Sequence, residues 1–440
     1  MPDPLEQQLD SFDHEQRQNA LRSLLEKKRT GLITFPPPAE IVNLHCHTFF
    51  SFNCCGYSPT KFAYLAKKSA LAFAGIVDFD VLEGLDEFLN ASSLLQLKAS
   101  VGIESRVFVP EFADKVMTSP GEPGITYHMG VGFTSMEIPD TAKKFLQSLK
   151  SIAQKRNKAL MQRVSTYLDP VQLDYDTDVI PLTPAANPTE RHICLAFAKK
   201  ARYIFTDYGQ LADYWTKKLT TEINPDDLPH SVKLLNTIRA KTMKKGGVGY
   251  VKPDAGQFPK MADMNQFVLR SGAIPTLTWL DGTSDGEQQI EELLTVAIKT
   301  GVAAVNIVPD RNFMPGVKNQ KLKNLYHFVK LAEQMNLPVI VGTEMNSPGQ
   351  KFVDDFHSDE LKPLLPAFLN GARIVYAHSV LRKHCKLGYL SDWAKKYFSS
   401  TAEKNQFYQT IGSQLQPERQ DLLGSFNTET KPNRILKAVT

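Results

Sequence analysis

Four apolar runs in the first third of the chain each end on a side chain able to ligate a metal, and a helical pattern follows most of them. Residues 41–47, IVNLHCH, bring His45 and His47; 72–80, AFAGIVDFD, bring Asp78 and Asp80; 98–105, KASVGIES, bring Glu104; 125–133, ITYHMGVGF, bring His128. Side chains alternate along a strand, so His45 and His47, two apart, project to the same side. Strand and helix in alternation, with a ligand type at each strand's carboxyl end, is how a parallel α/β barrel presents its site. In such a barrel the strand ends converge on one mouth. Residues far apart in sequence then meet around one ion.

The remainder of the chain divides around this core. Residues 4–29 read as one or two helices with leucines at helical spacing, and Pro36, Pro37 and Pro38 end them. Residues 1–40 are therefore a helical extension and 41–140 the first part of the barrel. Between 141 and 271 the strand pattern stops and several helical segments follow. The stretch from Ala142 to Gly272 holds 21 Lys plus Arg against 12 Asp plus Glu, a local charge of +9 in a chain of net charge +4. The Gly/Pro-rich return GGVGYVKPDAGQFP, which contains Lys252, suggests an insertion folding over the mouth as a lid and attracting an anionic substrate. Strands resume over 272–384 with AIPTLTWLDG, AAVNIVPDRNF, PVIVGTEMNSPGQ and ARIVYAHS, the last expected to end in His378. Residues 385–440 form a helical, polar tail without a motif.

Composition excludes several classes. No apolar run approaches the roughly 20 residues of a spanning helix, and the first 35 residues lack the apolar segment of a signal peptide, so the expectation is a cytoplasmic chain without membrane contact. Five cysteines, Cys46, Cys54, Cys55, Cys194 and Cys385, form no CxxC pair. They are expected to be reduced; Cys54 and Cys55, close after the histidine pair, would invite adventitious metal or oxidation, but the reading taken is that they serve as buried small apolar residues. The basic insertion shows no nucleic-acid-binding module, which argues against nucleic acid as the substrate. Oligomeric state is left open.

The order LHCHTFFS, GIVDFD, GIES, YHMG and GTEMN resembles the polymerase and histidinol phosphatase (PHP) superfamily of metal-dependent phosphoesterases, over roughly residues 41–134 and 272–350. The resemblance implies a distorted parallel (β/α)7 barrel of PHP type, with a large helical insertion and helical N- and C-terminal extensions. It makes His45 and His47 ligands of a first metal, Glu104 a carboxylate bridging two metals, His128 a second-metal ligand and Glu344 a first-metal ligand. Asn53, Phe79 and Asn346 stand where the family has the three ligands of a third metal, and their joint departure implies that this ion is absent. Trp279 lies near the expected second-metal histidine, with Asp281 or His378 as substitutes. The implied cofactor is one or two divalent transition metal ions, Zn, Mn or Fe.

Asp78 or Asp80 would orient water or a ligand histidine. Arg106, two past Glu104 on the same face, would hold a phosphate oxygen or else form an ion pair at the rim; Lys252 and Asn346 are further substrate-binding candidates. The expected function is a metal-dependent phosphoesterase acting on a small phosphorylated substrate. The alternatives are hydrolysis of a different bond on the same site, or a non-catalytic protein that keeps a metal or sugar-phosphate binding mouth.

Overall fold

The computed structural model describes residues 3–252, 256–313 and 319–440. The chain packs as two units, one made of Met1–Thr48, Asn53–Leu146 and Phe258–Thr440, the other of Phe49–Phe52 and Gln147–Gln257.

The first unit is built on seven strands lying side by side in chain order. These are β1 (Ala39–Cys46), β2 (Leu71–Phe79), β3 (Lys98–Phe108), β4 (Ile125–Val131), β5 (Ile274–Trp279), β6 (Ala304–Ile307) and β7 (Val339–Val341). β1, β2 and β3 are mutually parallel, as are β5, β6 and β7, but β4 runs antiparallel to both its neighbours. The sequence pattern implied parallel strands throughout. A parallel return needs a crossover of a dozen or more residues, usually a helix. Between Phe108 and Ile125 the named structure is one short turn, Pro110–Phe112, so the chain doubles back instead.

The sheet curls until its first and last strands meet. Beyond β7, Glu344 N donates to His45 O at 2.7 Å, and His47 N donates to Glu344 O at 2.8 Å. A methyl group on Gly342 would stand 2.3 Å from His45 N, so a residue without a side chain is what lets the two backbones approach. The result is an α/β fold around a nearly closed, mostly parallel seven-stranded barrel.

ARIVYAHS is not a strand. It lies inside the helix Leu365–Cys385, buried along most of its length, where Gly371 packs directly on the backbone of Val339. A helix covered on nearly every face shows no apolar stripe, and its β-branched residues imitate a buried strand.

At the N-terminus two helices form, Pro4–Gln8 and His14–Arg29. The second unit gathers the later part of helix Asp140–Tyr167 with Glu190–Ile204, Tyr208–Leu219 and Val232–Ile238. Its own core holds Val164, Phe197, Leu211 and Trp215, each fully buried.

Candidate metal centre

β1 delivers His45 near its end and His47 just beyond it, and β3 delivers Glu104; all three are buried. Glu104 Oε2 lies 3.6 Å from His45 Nε2 and 3.3 Å from His47 Nε2. One ligand atom from each residue falls within 4.8 Å of the others, the spacing of donors that can share one cation. Neither Glu104 oxygen nor His45 Nε2 makes a well-aligned hydrogen bond among the described residues. Burying ionisable atoms in this way is costly unless a positive charge enters between them. The donor set, two imidazoles and a carboxylate, therefore fits a divalent transition metal.

Asn306, on β6, sets the orientation of His45. Its Oδ1 lies 3.1 Å from His45 Nδ1, while its own Nδ2 donates to Ile340 O at 3.3 Å. An amide oxygen only accepts, so Nδ1 carries the proton and the Nε2 lone pair faces Glu104. Burial opposes charge on Glu104, but the two imidazoles outweigh it and lower its pKa to about 2. Burial likewise opposes charge on His45, and the Glu104 carboxylate, with help from Glu344, raises its pKa nonetheless.

The other expected site residues are placed as follows. Asp78 clasps Thr48, accepting from its backbone N and its hydroxyl at 2.7 Å each, and so fixes the chain just past His47. Asp80 accepts from Ser105 Oγ at 2.5 Å and has φ +62°, a left-handed conformation at the end of β2. Glu344 is also left-handed, at φ +60°. Its carboxylate takes Gln350 Nε2 at 3.1 Å and lies 3.8 Å from Arg311, outside the three-residue donor cluster. Arg106 forms an ion pair with Glu122 at 2.7 Å, its guanidinium 4.8 Å above the Phe258 ring. Asn346 is half-buried beyond Glu344, and Lys252 is exposed in the second unit.

His128 does not join the donor cluster. In the antiparallel β3–β4 pair Glu104 opposes Met129 and Ser105 opposes His128, and opposed residues share a face. Tyr127 and Met129 are thus on the Glu104 face and His128 is on the other. There its Nε2 meets Asn265 Oδ1 at 2.6 Å on helix Met261–Arg270, and burial lowers its pKa to about 4. A one-residue offset has turned the expected ligand out of the barrel. Tyr127 takes the inward place, its ring 6.1 Å from Phe79, which lies 4.2 Å from the His47 ring.

His378 also lies outside the donor cluster. Its Nδ1 accepts from Tyr389 N at 2.9 Å, and its Nε2 donates to Gly132 O at 3.2 Å. Asp281 is committed to Lys321 at 2.7 Å, and Trp279 stacks on Phe328 with centroids 4.6 Å apart. Parity on β5 gives the inward place to Thr278, whose buried hydroxyl has no hydrogen-bond partner among the described residues. Asn53 donates to His47 O at 2.8 Å and caps the following turn.

Sequence reasoning passed over Asn306. A lone amide inside the apolar run AAVNIV was the available signal, because a buried amide needs a partner.

No family model and no curated protein matches the chain. Among solved structures it is similar to an amidohydrolase from Chromobacterium violaceum with bound sulfate and no metal, at 18% identity and TM-score 0.47, covering 74% of this chain and 96% of the other. It is also similar to a protein described as a metal-dependent phosphoesterase from Bifidobacterium adolescentis, at 18% identity and TM-score 0.45, covering 76% and 98%. Likenesses of this size assign no activity, and the functional reading rests on the buried triad.

Proposed function

We propose that His45, His47 and Glu104 hold one divalent transition metal ion, Zn, Mn or Fe, and that the protein is a metal-dependent hydrolase of a small phosphorylated substrate. The observation that supports this is a buried set of donor atoms, contributed by β1, the residue just past it and β3, that lie within 4.8 Å of one another. When bound, such an ion polarises an ester oxygen and activates water for attack at neutral pH. The protein's residues supply the setting. Asn306 aims His45, Asp78 fixes the backbone after His47, and Phe79 packs its ring near His47. Arg106 is the nearest cation in sequence to the site, and a phosphate oxygen would compete with Glu122 for its fork.

That competition favours a second reading, hydrolysis of a carbonyl-centred bond. The Glu104 face also presents aromatic rings, Phe79 and Tyr127, which suit an uncharged substrate.

The test pairs metal titration with turnover of simple phosphoesters and carboxylic esters. Wild type is expected to bind about one equivalent of Zn or Mn and to need it for activity. Glu104→Gln is expected to lose both metal and turnover. Full metal binding by Glu104→Gln would remove the triad from consideration, and activity on carboxylic esters alone would select the second reading.

A further inference from the structure

Cys54 and Cys55 were expected to be buried, yet Cys54 is half-buried and Cys55 is exposed. Adjacent side chains on an extended strand point to opposite faces. Here the chain turns, and the two Sγ atoms lie 3.8 Å apart. Asn53 builds the turn: its Oδ1 accepts from Cys55 N at 2.8 Å and Tyr57 N at 3.2 Å, and its backbone O accepts from Gly56 N at 3.0 Å. Gly56 sits at φ +76°, a region that favours glycine. Cys54 N donates to Met345 O at 2.7 Å, which fastens the turn to the segment after β7. The thiols are thus brought together on a braced backbone.

Two thiolates bound to one tetrahedral ion at about 2.3 Å stand about 3.8 Å apart. The geometry points to a second metal site, in which Cys54 and Cys55 take one soft divalent cation of the zinc and cadmium class, with its other positions open to water or an exchangeable ligand. Soft ions favour thiolate over imidazole and carboxylate, so this site differs in selectivity from the buried triad. Binding releases the two thiol protons to solvent as the thiolates form. The inference is independent of the proposed hydrolase activity.

The test titrates full-length protein, kept reduced with a phosphine, with cadmium chloride. It follows the ultraviolet thiolate-to-cadmium band and the number of thiols that an aromatic disulfide reagent still reaches. Wild type is expected to develop the band to saturation with one thiolate-bound cadmium and to lose two reactive thiols. Cys54→Ser/Cys55→Ser, nearly isosteric at one half-buried and one exposed position, is expected to stay folded by circular dichroism and to show neither change. Glu104→Gln is expected to keep both. Absence of the band in wild type, its persistence in the double serine variant, or its loss in Glu104→Gln would each overturn the assignment.

Discussion

At Asn306 a single amide decides which nitrogen of His45 faces Glu104. Its oxygen holds the Nδ1 proton, so replacing it should free the ring to rotate or change tautomer without disturbing the ligands themselves. Asn306→Leu is expected to weaken metal affinity by about 10- to 100-fold, the usual effect of removing a partner that orients a ligand. Asn306→Asp keeps the acceptor and should restore most of it. Calorimetric titration of both variants checks this, and equal losses in the two would mean that Asn306 serves packing alone. Glu104 is expected to behave differently, because its carboxylate is itself one of the proposed donors. Glu104→Gln is expected to lose the ion outright.

Among the elements, helix Leu365–Cys385 shows how a histidine can serve structure. His378 ties its helix to Tyr389 N and Gly132 O. His378→Leu leaves two buried backbone groups unpaired, at an expected cost of about 1–3 kcal/mol each, and should leave metal stoichiometry unchanged. Denaturant unfolding and elemental analysis together check it; loss of metal with stability intact would return His378 to the site. The seam between β1 and the segment after β7 is a second such place. Gly342→Ala would drive a methyl group into the His45 backbone, and an expected loss of about 1–3 kcal/mol should come with weaker metal binding, since the same contact positions His45.

For the barrel unit as a whole, stability is tied to charge buried between the N-terminal extension and the barrel. Arg17 on helix His14–Arg29 meets Glu87 in a buried ion pair, its Nε 2.9 Å from Oε1, and Thr60 Oγ1 adds a bond of 2.7 Å to the same oxygen. Arg17→Met strands the carboxylate and is expected to cost about 3–5 kcal/mol, measured by denaturant unfolding. Acid should also loosen the fold. Burial opposes the Glu87 charge, but Arg17 outweighs it and holds the pKa below the usual 4.5, so this contribution is present above 4.5 and lost as pH falls through the lower folded value. His378 is pushed by burial from 6.5 to about 3 and stays neutral in the fold. The unfolded chain binds that proton first, so stability falls as pH drops from 6.5 toward 3. Between pH 6.5 and 4.5 the slope of unfolding free energy against pH should be shallower in His378→Leu. An unchanged slope there would mean that His378 does not contribute.

His45, His47 and Glu104 were legible in the sequence because their signal is local: apolar runs with a ligand type at the end, and a spacing of two that fixes a common face. The helical extension and the breadth of the α/β barrel could be read for the same reason. His128 was misassigned because its face depends on the direction and register of β4 against β3, and a shift of one residue reverses every side chain. His378 was misassigned because a helix buried on almost all sides carries no period to distinguish it from a strand. The role of Asn306, and the exposure and spacing of the Cys54 and Cys55 thiols, were decided only in three dimensions, the first by a contact across 261 positions of sequence and the second by a turn that places neighbouring thiols side by side. Sequence alone determined which residues could ligate; chain direction, burial and the closing of the barrel decided which of them meet.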